Sequence, residues 1–298
     1  MTLEQQLAQF VASGLVNGAI YALLGLGLVV IFSVTRVVNV AQGEFAAFAA
    51  LLSATLIGRD LPPFLAYGLA VAAATALGAG MHLAAIRPAR QASALTLLII
   101  TIAVHLALKG LLLLLWGTDP YSLPPFTVGP PVRIAGAVVT RQSLWVLSAV
   151  GVILAAAYLF FARTLRGKSL RACAVNPTAA RLVGISVDRM GTLAFAVAGG
   201  LGGLAGILIT PQTLATYDMG LILGLKGFVG AVVAGMTSYP ATVVATLGFG
   251  VVEALGAGVI SSAYRDGIAF AVLVIVLLAR ALRHLRQGVL IGEEAAQE

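Results

Sequence analysis

Charge is the scarcest property of this 298-residue chain: 10% of its residues are Asp, Glu, Lys or Arg, and 60% are hydrophobic. Globular domains carry about 25% charged and roughly 45–50% apolar residues, so this composition cannot supply a water-facing surface. That excludes a soluble protein and leaves an all-α integral membrane protein. The single cysteine, Cys173, excludes an internal disulfide. Three histidines and 11 acids form no cluster with the spacing of a metal site. No GxSxG and no zinc-protease helix motif occurs. Gly167-Lys168-Ser169 is similar to the end of a phosphate-binding loop, but the required glycine five residues earlier is Ala162 and no strand precedes it. The N-terminus MTLEQQLAQF has no basic region, and the apolar run after it is too long for a cleavable signal. No internal repeat is evident. The chain reads as a non-enzyme: it has the makings of a translocation pathway and no catalytic or ATP-binding motif of its own.

What the chain has is apolar length. About 20 apolar residues of helix cross a hydrocarbon core. On that rule nine segments qualify: 10–34, 37–57, 62–86, 93–116, 142–162, 190–210, 221–238, 240–260 and 267–282. Several are short or broken by glycine. With 34 glycines, helix packing through small residues is expected. Gly14 and Gly18 lie four apart in the first segment. In 190–210, Gly199-xxx-Gly203 and Gly202-xxx-Gly206 predict one closely packed helix face. The connection 117–141 is proline-rich.

The net charge of +7 does not point to nucleic acid, because the basic residues lie between the spans. They read as topology signals and as contacts to anionic membrane lipid. Arg87, Arg90, the six basic residues of 163–189, Arg280, Arg283 and Arg286 belong on the cytoplasmic side, which places the C-terminus there. If 37–57 crosses fully, there are nine spans and the N-terminus is outside. If it enters and leaves on the outer side, there are eight and both termini are inside. Only Arg36 favours the first arrangement.

Polar residues inside apolar spans are costly and mark partners, cavities or pathways. Asn17 and Tyr21 stand in the first span. Asn39, Gln42 and Glu44 cluster around Gly43 at the start of the second. Glu44 has two readings, a pathway residue or a carboxylate favoured near a helix N-terminus. His82 and His105 read as packing residues, and Lys109 as a snorkelling one. Lys226 and Glu253 could pair within the bundle, in a structural role.

The densest charge is Arg163–Arg189, where six of the 18 Lys+Arg fall. It contains a short helix with clear ends. Asn176 caps it, Pro177 suits its first position, and Gly184 closes it. About two turns of helix are marginal alone in water and need something to pack on. Docking of a soluble partner is one reading and an ordinary solvated loop is the other.

Four stretches, in this order, carry a resemblance: GLVNGAIYALLGLGLVVIF, VNVAQGE, RACAVNPTAARLVGISVDRMGTLAFAVAGGLGGLAGIL and LGLKGFVGAVVAGM. Over roughly residues 10–280 the chain resembles a branched-chain amino acid ABC transporter permease of the LivH type. The resemblance implies one transmembrane permease domain over 1–298, with the all-helical, eight- or nine-span fold of type II ABC importer permeases. It implies a cytoplasmic coupling loop over about 163–189, carried here by Arg171, Asn176, Pro177, Ala180, Arg181 and Gly184. It also implies partners: ABC ATPase subunits that use the ATP, a second permease subunit and an extracytoplasmic solute-binding protein. The location implied is a prokaryotic inner membrane, and this chain itself would bind no cofactor. Asn17, Tyr21, Asn39, Gln42, Gly43 and Glu44 are the candidates for the translocation pathway. The family usually has His where this chain has Gln42, so the solute is atypical if that position touches it. The same architecture carrying urea, short amides or other amino acids is the alternative, followed by a stand-alone secondary transporter.

Overall fold

A computed structural model describes residues 2–134, 136–259, 261 and 266–278. The described helices are α1 (Leu3–Thr35), α2 (Glu44–Ile57), α3 (Pro63–Met81), α4 (Ala94–Trp116), α5 (Arg141–Arg163), α6 (Leu165–Val175), α7 (Pro177–Leu182), α8 (Val187–Ile209), α9 (Met219–Val233) and α10 (Tyr239–Val259). A further helix, α11 (Asp266–Leu278), follows. A 3-10 turn (Val40–Gly43) leads into α2, and a π turn (His82–Ile86) extends α3. Seven stretches are long and apolar enough to cross a membrane, and α9 and α11 are shorter apolar helices. All nine segments expected from hydropathy therefore contain apolar helix. The last one, 267–282, and the arginines at 265, 280, 283 and 286 fall partly or wholly outside the described residues.

α1 is the pillar of the bundle. It is buried almost all round from Gly14 to Val34 and packs on α5, α8, α9 and α10. Glycine sets those distances. A methyl group on Gly14 or Gly18 would run into the α10 backbone at Gly250–Val251 and Thr246–Leu247. α8 carries the expected glycine face, residues three and four apart sharing one side of the helix. It is wedged between two neighbours: Gly199 lies against Ala74 of α3, Gly202 and Gly206 against Phe45 and Ala46 of α2, and Gly203 against both Ala74 and Ala49.

One end of the bundle carries the longer connections. The proline-rich 117–141 holds a two-stranded antiparallel hairpin, β1 (Val132–Ile134) and β2 (Ala137–Val139), which its composition did not announce. Gln9 on α1 binds Val138 through both its amide atoms, accepting at 2.7 Å and donating at 3.1 Å. Tyr121 and Ala215 exchange backbone hydrogen bonds on the same side. The opposite end carries α6 and α7, and there the α1 C-terminus meets them: Arg36 Nη2 donates to the Ala174 carbonyl at 3.3 Å. α1 therefore starts on the hairpin face and ends on the α6–α7 face. The 37–57 stretch returns to the hairpin face, where Trp116 at the end of α4 donates to Thr55 of α2. It runs between the two faces as a turn followed by a short helix, the course that the nine-span alternative requires.

A docking surface and a buried polar turn as candidate functional sites

α6 and α7 form a compact layer built from local signals. Thr164 ends α5 and caps α6, accepting from Gly167 N at 3.0 Å. Gly167 lets α6 fold back on α5, because any side chain there would strike the Phe160 carbonyl. That close approach accounts for the glycine at 167. α6 itself was not foreseen. The shorter helix was: Asn176 Oδ1 accepts from Thr178 N and Ala179 N, both at 3.0 Å, and Pro177 is the first residue of α7. Gly184 has φ 83°, the left-handed conformation that suits glycine.

Leu170, Cys173 and Ala180 anchor this layer against Val30, Val34, Phe161 and Ala194. Burial raises the Cys173 thiol above its ordinary range, with nearby Arg181 opposing. The outward side is left apolar: Leu182 is 85% exposed and Val183 74%. Arg181 faces a cavity of about 680 Å³ that it shares with Arg36, Arg87 and Arg90. One acid, Asp188, lies in it and pairs with Arg90. Arg171 points elsewhere, into a groove between α5 and α10. The six residues expected to form a coupling loop thus share one layer, while their two arginines line different cavities.

The second candidate site is the turn between α1 and α2. Arg36, with φ 58°, ends α1. Asn39 caps the turn by accepting from Ala41 N at 3.1 Å, and Thr101 of α4 donates to the Val38 carbonyl at 3.0 Å. Gln42 is fully buried, and its Nε2 donates to the Ala198 carbonyl of α8 at 3.0 Å. Gly27 and Gly202 leave room for that side chain. Gly43 presses on Gly220 and Gly224 of α9 so closely that no side chain fits. Glu44 is the first residue of α2; its carboxylate lies against Gly220 at the start of α9, with Oε1 3.0 Å from His105 Nδ1. Among the described residues, three buried polar atoms here have no hydrogen-bond partner: Asn39 Nδ2, Gln42 Oε1 and Glu44 Oε2.

The six pathway candidates do not converge. Asn39, Gln42, Gly43 and Glu44 form this turn. Asn17 is half-buried on α1, and Tyr21, one turn on, packs on Phe249 of α10 with the Lys226 ammonium 5.8 Å from its ring centre. Lys226 does pair with Glu253, at 2.8 Å, and also with Asp266 at 2.8 Å. His82 shares a hydrogen bond of 3.0 Å with Thr192, the packing role expected of it. His105 was expected to be another such residue, yet it faces Glu44. One signal for it exists in the sequence: Thr101, His105 and Lys109 recur every four residues on one face of α4. All three meet polar or aromatic partners, Lys109 lying 5.7 Å from the Tyr217 ring centre.

Comparison with known proteins places this architecture. A family model described as branched-chain amino acid transport system, permease component, matches residues 10–277. The high-affinity branched-chain amino acid transport system permease protein BraD of Pseudomonas aeruginosa is 28% identical over 286 residues, covering 91% of this chain and 93% of its own length. LivH of Escherichia coli K12 is 28% identical over 282 residues, 89% of this chain and 91% of its own. A probable LivH of Methanocaldococcus jannaschii is 26% identical, covering 82% and 79%. With its apolar bundle and a match spanning nearly the whole sequence, the chain belongs to the branched-chain amino acid transport system permease family.

Proposed function

We propose that this chain is the membrane permease subunit of an ATP-driven importer for branched-chain amino acids. The observation that carries the reading is α7: a two-turn helix, capped at both ends, held on the bundle by Ala180 and presenting bare Leu182 and Val183. An apolar pair in a basic layer is suited to the groove of a soluble subunit, with the arginines around it supplying charge for acidic partners. ABC ATPase subunits would grip α6–α7 there, making this the cytoplasmic face and this chain's C-terminal side. The membrane would be the prokaryotic inner membrane. A second permease subunit completes the pathway, and an extracytoplasmic solute-binding protein delivers solute to the hairpin face. ATP is bound and hydrolysed by the partners.

The cycle is alternating access. Closure of the ATPases moves α7, and α6 passes the motion to α5 and α8. The polar turn is placed to respond. It leans on α8 through Gln42 and on α9 through Gly43, so a shift of either helix changes the packing that buries it. Its unused hydrogen-bonding groups then suit the ammonium and carboxylate of a zwitterion. Because Gln42 is buried against α1 and α8 in this state, its departure from the family's His alters packing first, and branched-chain amino acids remain the favoured solute.

An Arg181→Ala, Gly184→Val double variant tests the docking claim. It should lose about tenfold or more of its ATPase co-purification, on the scale of interface hot spots, while it still folds in detergent, with any strain from valine at φ 83° confined to the end of α7. Undiminished association with an intact fold contradicts the claim.

A further inference from the structure

A groove of about 450 Å³ runs between α5 and α10 on the membrane-facing side of the bundle. Its walls are apolar, with Leu154, Ala157 and Phe161 from α5 and Pro240 and Val243 from α10. Between Leu154 and Ala162, eight residues of helix give a length of about 12 Å at 1.5 Å per residue. The groove opens toward the bilayer, where Tyr158 and Val244 on its two rims are exposed. Its end at the α6–α7 face is different in kind. Arg171 lines it there, beside Tyr239, whose ring stacks on Phe161 at 4.7 Å and whose hydroxyl lies 3.2 Å from Ser33.

The charge at that end is of one sign. Arg163, Arg166, Lys168 and Arg171 follow in nine residues, and the sequence holds no acid between Asp119 and Asp188. An apolar slot closed at the interface by an arginine has the two halves of a phospholipid site, chain and headgroup. We propose that this groove binds an anionic phospholipid of the leaflet on the α6–α7 face, its acyl chain along α5 and its phosphate on the Arg171 guanidinium. The planar guanidinium matches phosphate oxygens, and one basic residue near an anionic surface is worth about fivefold in binding. The lipid would wedge α5 and α10 at the root of α6. That leaflet is cytoplasmic on the reading above, but occupancy of the groove does not depend on the solute or on ATPase docking.

The test is native mass spectrometry of the full-length protein released from nanodiscs containing equimolar phosphatidylglycerol and phosphatidylcholine. Wild type should retain phosphatidylglycerol preferentially. Arg171→Ala should reduce that retention about fivefold, and Ala157→Trp, which fills the groove and keeps every charge, should abolish it. Lys168→Ala, whose residue adds to the positive surface but does not line the groove, should reduce it clearly less than Arg171→Ala. Equal losses in Arg171→Ala and Lys168→Ala would reduce the effect to general surface charge and overturn the proposal. Undiminished retention in Ala157→Trp would also overturn it. A third contrary result is efficient disulfide crosslinking between two Val244→Cys copies in the membrane, which would make this face a protein interface.

Discussion

At the residue scale, the chain spends its few buried charges on holding helices that are far apart in sequence. Lys226 bridges Glu253 on α10 and Asp266 on α11 from its place on α9. Removing one partner of a buried ion pair costs about 3–5 kcal/mol, because the remaining charge stays desolvated. Lys226→Met should therefore lower the thermal unfolding midpoint in detergent sharply. Adding Glu253→Gln should recover part of the loss, since the carboxylate left behind is gone. If Lys226→Met unfolds like the wild type, the cluster contributes nothing to stability. The residue scale is also where the sequence was least readable. Nothing local says that Glu44 meets His105 across 61 positions, or that Asp266 joins Lys226. Such pairings are made by tertiary packing. Only the spacing of Thr101, His105 and Lys109 hinted that one face of α4 was polar.

At the scale of elements, what was legible was what is encoded locally. Asn176, Pro177 and Gly184 mark both ends of α7, and the structure puts them in those roles. The nine apolar segments were legible because a helix in lipid must be continuous and apolar. α6 was missed because its arginines and its glycine resemble a loop, and its helix depends on Leu170 and Cys173 finding a buried site. The glycine face of α8 was legible from spacing, but spacing does not say which neighbour each glycine admits, and the face turned out to serve both α2 and α3. Asn176→Ala removes both cap hydrogen bonds of α7, a loss of about 1 kcal/mol. In a helix of six residues that favours fraying. The variant should keep its membrane fold and its global unfolding temperature. Amide hydrogen exchange over 178–182 should rise severalfold, and ATPase co-purification should fall. Unchanged exchange there would mean that packing of Ala180, not the cap, holds the helix.

At the scale of the molecule, α1 begins on the hairpin face and ends on the α6–α7 face, which the Lys and Arg distribution alone left undecided. If the α6–α7 face is cytoplasmic, the N-terminus and the hairpin are outside. In a Cys173→Ser background, Arg133→Cys should react with a membrane-impermeant maleimide in intact spheroplasts, and Thr178→Cys only after permeabilisation. The reverse pattern would invert the molecule and remove α7 from reach of any ATPase. The family match agrees with the bundle on what kind of protein this is and favours the solute; the proposed sidedness and ATPase partners rest on the α6–α7 layer.

The central claim is that this chain passes branched-chain amino acids under the drive of subunits held at α7. The most direct measurement is ATP hydrolysis by the purified complex in proteoliposomes, formed with the ATPase, second permease and solute-binding protein co-expressed with it. Hydrolysis should rise when the binding protein is loaded with leucine, isoleucine or valine, and labelled solute should accumulate inside vesicles whose hairpin face, with the binding protein, is outward, moving toward the α6–α7 side. A complex stimulated only by a different solute, or a chain that moves solute with no ATPase attached, would contradict the account.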